Sequence, residues 1–175
     1  MLKKIFIASL IAVTAFACTA CSNTTRNQLA DQISKVAQLI SGDVTGETGK
    51  SYATQWFEFT VVSITPVAEY AGYTPADGNR LLDVVITEKG TFSDPSPMGT
   101  FDFYLDSPSF DDYIYPLDPL DESMMPYEFT LEKGQAVDYH MVYEFPSDFS
   151  DLKLMYTEID ETEQEGVTFT INVEL

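Results

Sequence analysis

The sequence predicts an all-β protein: an immunoglobulin-like antiparallel β-sandwich of seven to eight strands, preceded by a signal peptide and a short helix and linker. Three observations carry this expectation. From Tyr52 onward apolar and polar residues alternate with period two, the spacing that puts successive side chains on opposite faces of a strand. Turn-forming clusters, Ala76-Asp77-Gly78-Asn79, Asp94-Pro95-Ser96-Pro97, Lys133-Gly134 and Pro146-Ser147-Asp148, cut that alternation into short runs. No stretch after Tyr52 has the helical spacing of a crossover, which excludes a parallel α/β fold.

The N-terminus is read first. Met1-Leu2-Lys3-Lys4 is a charged start, Ile5 to Ala17 is apolar apart from Ser9 and Thr14, and Cys18-Thr19-Ala20-Cys21 is a small-residue zone. The apolar run of about 13 residues falls short of the roughly 20 that a permanent membrane span needs, so it reads as a removable signal, residues 1–20. Its ending resembles the lipobox of bacterial lipoproteins, in which a small residue precedes the cysteine that is diacylated. Ala20-Cys21 is the preferred step, because polar Ser22-Asn23 follows it; Ala17-Cys18 is the alternative. Two acyl chains hold a protein on a membrane where one chain binds only marginally. Cys18 and Cys21 are the only cysteines, so the sandwich is expected to stand without an internal disulfide.

Residues 21–50 are expected to form the lipidated N-terminus, a helix and a linker. Leu29, Ile33, Val36, Leu39 and Ile40 recur at three- and four-residue spacing, with Asn27 as N-cap and Gly42 as stop. Gly42, Gly46 and Gly49 then mark a linker up to Lys50.

The sandwich is expected over residues 51–175. Its first strand places Trp56, Glu58, Thr60 and Val62 on one face and Phe57, Phe59, Val61 and Ser63 on the other, with Pro66 interrupting or ending it. Further strands are expected at 80–89, 100–106, 113–117, 127–132, 136–145, 152–159 and 167–175. The alternation is plainest in Leu82, Val84 and Ile86, in Tyr139, Met141 and Tyr143, and in Phe169, Ile171 and Val173.

Charge sets limits on function. The chain carries 9 basic and 28 acidic side chains, and the signal removes Lys3 and Lys4 from the basic set. Such a surface repels nucleic acid, which is excluded as a partner. Hydrophobic residues make up 45% of the chain, enough to build a core.

Motifs for chemistry are missing. The one histidine, His140, has no cysteine, nucleophile elbow or second histidine near it in sequence and reads as structural. Gly46-Glu47-Thr48-Gly49 lacks the Lys-Ser/Thr step of a phosphate loop. Between Asp94 and Glu122, however, Asp102, Asp106, Asp111, Asp112, Asp118 and Asp121 crowd among Phe103, Tyr104, Phe110, Tyr113 and Tyr115. Calcium takes six to eight oxygen ligands, and Asp106, Asp111, Asp112 and Asp118 are the candidate donors, although their spacing matches no EF-hand. The plainer reading is a solvated acidic rim. Stiff aromatic side chains make good binding anchors, and Tyr70, Tyr73, Tyr113 and Tyr115 are the candidate ligand-binding residues.

Several segments taken together also resemble a known family. These are Trp56-Phe57-Glu58-Phe59-Thr60-Val61, Tyr70-Ala71-Gly72-Tyr73-Thr74-Pro75 with Gly78-Asn79, Leu81-Leu82-Asp83-Val84-Val85-Ile86-Thr87, Tyr115-Pro116-Leu117, Leu131-Glu132-Lys133-Gly134, Val142-Tyr143-Glu144-Phe145-Pro146 and Asp151-Leu152-Lys153-Leu154. In this order they resemble the bacterial immunoglobulin-like lipoproteins of unknown function whose members are sometimes mislabelled telomeric repeat-binding factors, and they are similar in plan to a secreted mycobacterial antigen. The resemblance implies location and fold, and no reaction or ligand. Glu88-Lys89-Gly90-Thr91 departs from the family's Asn-Thr-Gly type of turn.

The expected function is that of an extracytoplasmic lipoprotein on a bacterial cell membrane, not an enzyme and without a cofactor. Its sandwich would act as a binding or adaptor module for an extracellular protein or cell-wall component. The alternatives are a structural spacer or accessory subunit with no discrete ligand, and a calcium-binding surface domain.

Overall fold

Where apolar residues occupy every second position a strand can bury one face, and the long strands of this protein do so over Phe57–Val61, Leu82–Ile86 and Met141–Phe145. The computed structural model describes residues 42–91, 97–159 and 165–175. The expected signal peptide, Cys21 and the amphipathic helix lie outside the described residues.

Eight strands are formed among the described residues: β1 (Val44–Gly46), β2 (Ser51–Ala53), β3 (Phe57–Val67), β4 (Asn79–Gly90), β5 (Phe103–Asp106), β6 (Ala136–Pro146), β7 (Lys153–Ile159) and β8 (Glu165–Asn172). They make two four-stranded sheets, ordered β1-β8-β7-β5 and β2-β3-β4-β6. Every strand pair is antiparallel except β1 with β8, which is parallel. The β-sandwich is thus the observed fold, and no α-helix occurs among the described residues.

The core between the sheets is aromatic. Phe57 and Phe59 of β3 meet Phe103 of β5, Tyr156 of β7 and Phe169 of β8, with ring centroids 5.2–6.3 Å apart and mostly edge-to-face. That arrangement sets positive ring edges on negative faces and adds to the stabilisation from burial. Leu82, Val84 and Ile86 of β4 and Met141, Tyr143 and Phe145 of β6 complete it.

Two irregularities in β3 have local causes. A bulge between Val61 and Ser63 exposes Val62 and resets the alternation, so that Ile64 returns to pack on the core. The strand also continues through Pro66 to Val67, where an end or interruption was expected. β2 pairs only with Glu58 to Thr60, so β3 is an edge strand at Pro66, where proline is tolerated.

The residues expected as a linker do more than connect. Val44–Gly46 forms β1 and pairs with Phe169–Ile171 of β8 before the chain crosses to the other sheet as β2. A Cβ on Gly46 would lie 2.9 Å from the Tyr52 ring and 3.0 Å from Ile171, so only glycine allows the ring to lie across β1. The Tyr52 hydroxyl then accepts the Glu47 N–H at 2.6 Å.

The runs at 113–117 and 127–132, expected as strands, are single bridges instead, Leu105 with Ile114 and Met98 with Phe129. Pro116 supplies no N–H for the next rung after Ile114, and Thr100 donates its N–H to the Pro126 carbonyl at 3.1 Å in place of a rung with Tyr127. The start of the run at 100–106 is a 3-10 turn, Thr100–Asp102, ahead of β5.

Candidate functional site

β5 is the outer strand of its sheet, and its pleat decides which rings face out. Phe103 and Leu105 point into the core and are 1% and 0% exposed, so Tyr104 and Asp106 point away from it. Beyond β5 the bridge residue Ile114 exchanges both backbone hydrogen bonds with Leu105, at 2.8 and 2.9 Å. Ile114 therefore faces inward with Leu105, and its neighbours Tyr113 and Tyr115 turn outward beside Tyr104. The ring centroid of Tyr104 lies 4.3 Å from that of Tyr113 and 6.2 Å from that of Tyr115.

Two more rings extend the row. Phe101, on the 3-10 turn, lies 5.8 Å from Tyr115 and 5.9 Å from Tyr127. Tyr127 is brought there by an unusually close backbone approach, since a Cβ on Gly99 would fall 1.9 Å from the Tyr127 carbonyl oxygen. The turn itself is held by the Asp102 carboxylate, which accepts the Gly99 N–H at 2.8 Å.

Tyr113, Tyr104, Tyr115, Phe101 and Tyr127 thus form a continuous aromatic platform. Tyr113, Tyr115, Phe101 and Tyr127 are 48%, 45%, 50% and 53% exposed. With 150–250 Å² per ring, half exposure of four rings leaves roughly 300–500 Å² open, the size of the largest patch on a typical monomer and one often used for binding. Carboxylates border it. Asp112 accepts the Tyr113 N–H at 2.8 Å, and Asp118 sits against the Tyr127 hydroxyl, where its hydrogen-bonding pull raises the phenol pKa.

The four tyrosines singled out in the sequence divide into two pairs. Tyr113 and Tyr115 belong to the platform. Tyr70 and Tyr73 instead bridge to each other on the outer side of the second sheet and pack against Leu81, Met124 and Val142. Their hydroxyls are engaged, Tyr70 with Ser123 at 2.8 Å and Tyr73 as donor to Glu144. They fasten the β3–β4 connection. The sequence reading missed Phe101 and Tyr127, which become neighbours of Tyr115 only through the turn and the Gly99 approach.

The calcium candidates are scattered. Asp106 stands opposite Lys153 of β7, Asp111 and Asp112 lie on the loop after β5, and Asp118 is at Tyr127. No group of three or more His, Cys, Asp or Glu side chains that could hold a metal ion occurs among the described residues. His140 has its Nδ1 2.8 Å from Asp83 and its ring 5.6 Å from Tyr70, a packed position within β6.

A second group of carboxylates is buried. Glu88 continues the inward series Leu82, Val84, Ile86 on β4, is 1% exposed, and its Oε2 has no hydrogen-bond partner. Burial, with the nearby Asp102 adding to it, pushes the Glu88 carboxyl up to about 8. Glu158, 4% exposed, accepts the Gln55 N–H. Burial raises the Tyr156 phenol as well, with Asp102 and Glu158 adding to the shift. A shifted carboxyl is often a mark of catalysis, but a general acid or base must reach its substrate, and Glu88 has no exposed surface to do so.

No protein-family model and no curated protein matches the chain. Solved structures do. The chain is similar to ycdA, a candidate lipoprotein from Bacillus subtilis, at a TM-score of 0.54 and 21% identity; the match covers 73% of this chain and 39% of ycdA. It is similar to yjhA, also from Bacillus subtilis, at 0.55 and 15%, covering 73% of this chain and 98% of that one. It is also similar to the secreted protein MPT63 of Mycobacterium tuberculosis, at 0.54 and 10%, covering 75% and 98%. These are bacterial β-sandwich proteins, and at such identities the common feature is the fold. No helix among the described residues is long and apolar enough to cross a membrane.

Proposed function

We propose that the chain is a bacterial lipoprotein held on the extracytoplasmic face of the cell membrane through acylated Cys21, and that its sandwich is a non-enzymatic binding module. The observation that carries the binding role is the aromatic platform: five rings each touching the next in series, four of them about half exposed. A spacer with no ligand would be expected to present charged, solvated loops there, since open apolar patches of this size cost solubility.

Location is supported by the lysine-led apolar leader and the Ala20-Cys21 step. It is further supported by a fold held in common with a candidate lipoprotein and a secreted protein. Glu88, the carboxyl pushed up to about 8, is buried out of reach of a substrate, which favours binding over catalysis.

Two measurements test the proposal. Mass spectrometry of the membrane fraction should find an acylated peptide beginning at Cys21, and a Cys21→Ala variant should move to the soluble fraction; retention of that variant overturns the anchor. A photoreactive phenylalanine analogue at Tyr115 should give a discrete adduct in intact cells, and the same analogue at exposed Thr65 should not. Equal labelling from both positions, or none from either, overturns the binding role.

A further inference from the structure

The stretch from Gly90 to Glu132 supplies all five rings of the platform, and in it stand ten Asp and Glu residues and no Lys, Arg or His. Asp111, Asp112 and Asp118 are exposed, the last two directly at Tyr113 and Tyr127. Aromatic faces carry the negative side of the ring quadrupole, so they attract a cation placed over them. Ring faces and carboxylates therefore favour the same kind of guest. The same charges repel an anionic polymer and a second copy of this acidic chain.

Spacing narrows the guest further. From Tyr104 through Tyr115 and Phe101 to Tyr127 the ring centroids follow at 6.2, 5.8 and 5.9 Å. An extended peptide advances about 3.3 Å per residue, so its alternate side chains, all on one face, stand roughly 6.6 Å apart. The two spacings are close, so an extended peptide lying along these rings sets alternate side chains near neighbouring ones. Arginine suits this position best, because its planar guanidinium stacks on a ring while its N–H groups reach a carboxylate beside it.

We infer that the platform grips an extended basic polypeptide segment with Arg or Lys at alternate positions, the guanidinium or ammonium groups lying over the rings and paired with the bordering carboxylates. This rests on the platform being a binding surface.

The test uses the full-length protein in nonionic micelles and four probes: an (Arg-Thr)4 peptide, a peptide of the same composition with its arginines in one block, a (Glu-Thr)4 peptide, and chitohexaose as a neutral glycan. Binding is measured by calorimetry at low and high salt for wild type, Tyr115→Ala, Phe101→Ala, Asp118→Asn and, as a remote charge control, Glu69→Gln. Circular dichroism establishes that each variant is folded. The alternating peptide should bind more tightly than the blocked one. Its affinity should fall at least tenfold in either ring variant, fall also in Asp118→Asn and in high salt, and remain unchanged in Glu69→Gln.

Affinity for the arginine peptides that is indifferent to both ring variants would reflect bulk charge and overturn the inference, as would equal binding of the glutamate peptide. Ring-dependent binding of chitohexaose with none of the arginine peptide would overturn the cationic guest and leave the platform standing as a glycan surface. Ring-dependent self-association, seen by light scattering, would make a second copy the occupant. No ring-dependent binding of any probe, with no adduct from Tyr115 in cells, would remove both the inference and the platform reading.

Discussion

Replacing Glu88 with glutamine is expected to stabilise the protein at neutral pH and to leave its stability nearly unchanged at pH 4. Glu88 is 1% exposed, its Oε2 is without a partner, and burial lifts its carboxyl from 4.5 to about 8. A carboxyl with a raised folded-state pKa contributes its full share of stability below the unfolded value, loses it progressively as pH rises, and has lost it once the folded value is passed. The window runs from about 4.5 to about 8. At roughly 1.4 kcal/mol per pH unit the whole span is worth about 5 kcal/mol, and about 3 kcal/mol of it is already lost at pH 7. Glutamine keeps the shape and has no charge to bury, so its advantage should grow with pH across this window. Urea unfolding of wild type and Glu88→Gln at pH 4, 5.5, 7 and 8.5 measures the difference, in which the other titrating groups largely cancel. Parallel stability profiles for the two proteins would refute the reasoning, because they would mean that Glu88 reaches water or a partner when ionised.

Glu144 should behave in the opposite sense. Hydrogen bonds from Tyr73, Asn79 and the Ala76 N–H lower its pKa, so its contribution is present above the ordinary carboxylate value and is lost as pH falls through the lowered one. Glu144→Gln should therefore lose about 1–2 kcal/mol at pH 7 and little in acid, measured by the same urea titration. Gly99→Ala should cost about 3 kcal/mol, since its Cβ would fall 1.9 Å from the Tyr127 carbonyl oxygen, and a shift in Tyr127 ring signals by NMR should accompany the loss. A chain starting at Ser51 should be less stable than one starting at Gly42 by about 2 kcal/mol, because it loses β1 and the packing of Val44 on the core; differential scanning calorimetry compares the two.

The long strands were legible because their information is local. In Leu82-Asp83-Val84-Val85-Ile86 the period-two signal and β propensity agree, and β4 runs from Asn79 to Gly90. β6 and β7 are equally plain. β1 was hidden because three residues, one of them glycine, carry no measurable period, and its pairing with β8 joins positions about 125 residues apart. The runs at 113–117 and 127–132 looked like strands for the converse reason. Their side chains have β propensity, but pairing also needs N–H groups in register: Pro116 has none to give, and the Thr100 N–H goes to the Pro126 carbonyl, which leaves one bridge each.

The site was half legible, and the division has a physical basis. A tyrosine in an acidic loop is ambiguous until it is known which layer lies over it. Tyr70 and Tyr73 are covered, because Leu117 and Met124 fold over the outer side of the second sheet and make a small apolar cluster there with Leu81 and Val142. Tyr113 and Tyr115 are about half exposed, and no such cluster forms over them among the described residues. The pairing of Ile114 with Leu105 forces both rings outward in one register, and the Gly99 contact then delivers Tyr127 to the far end of the same row. The packing of Ile114 on the core and the exposure of its neighbours are therefore one event. A substitution that broke the bridge, such as Ile114→Pro, would remove the Ile114 N–H at the cost of one hydrogen bond and free both tyrosines from their common face. The expected result is a protein that retains its sandwich, by far-UV circular dichroism, and loses the adduct from position 115. An adduct that survived would show that ordering of the rings by the sheet edge is not what makes the surface bind.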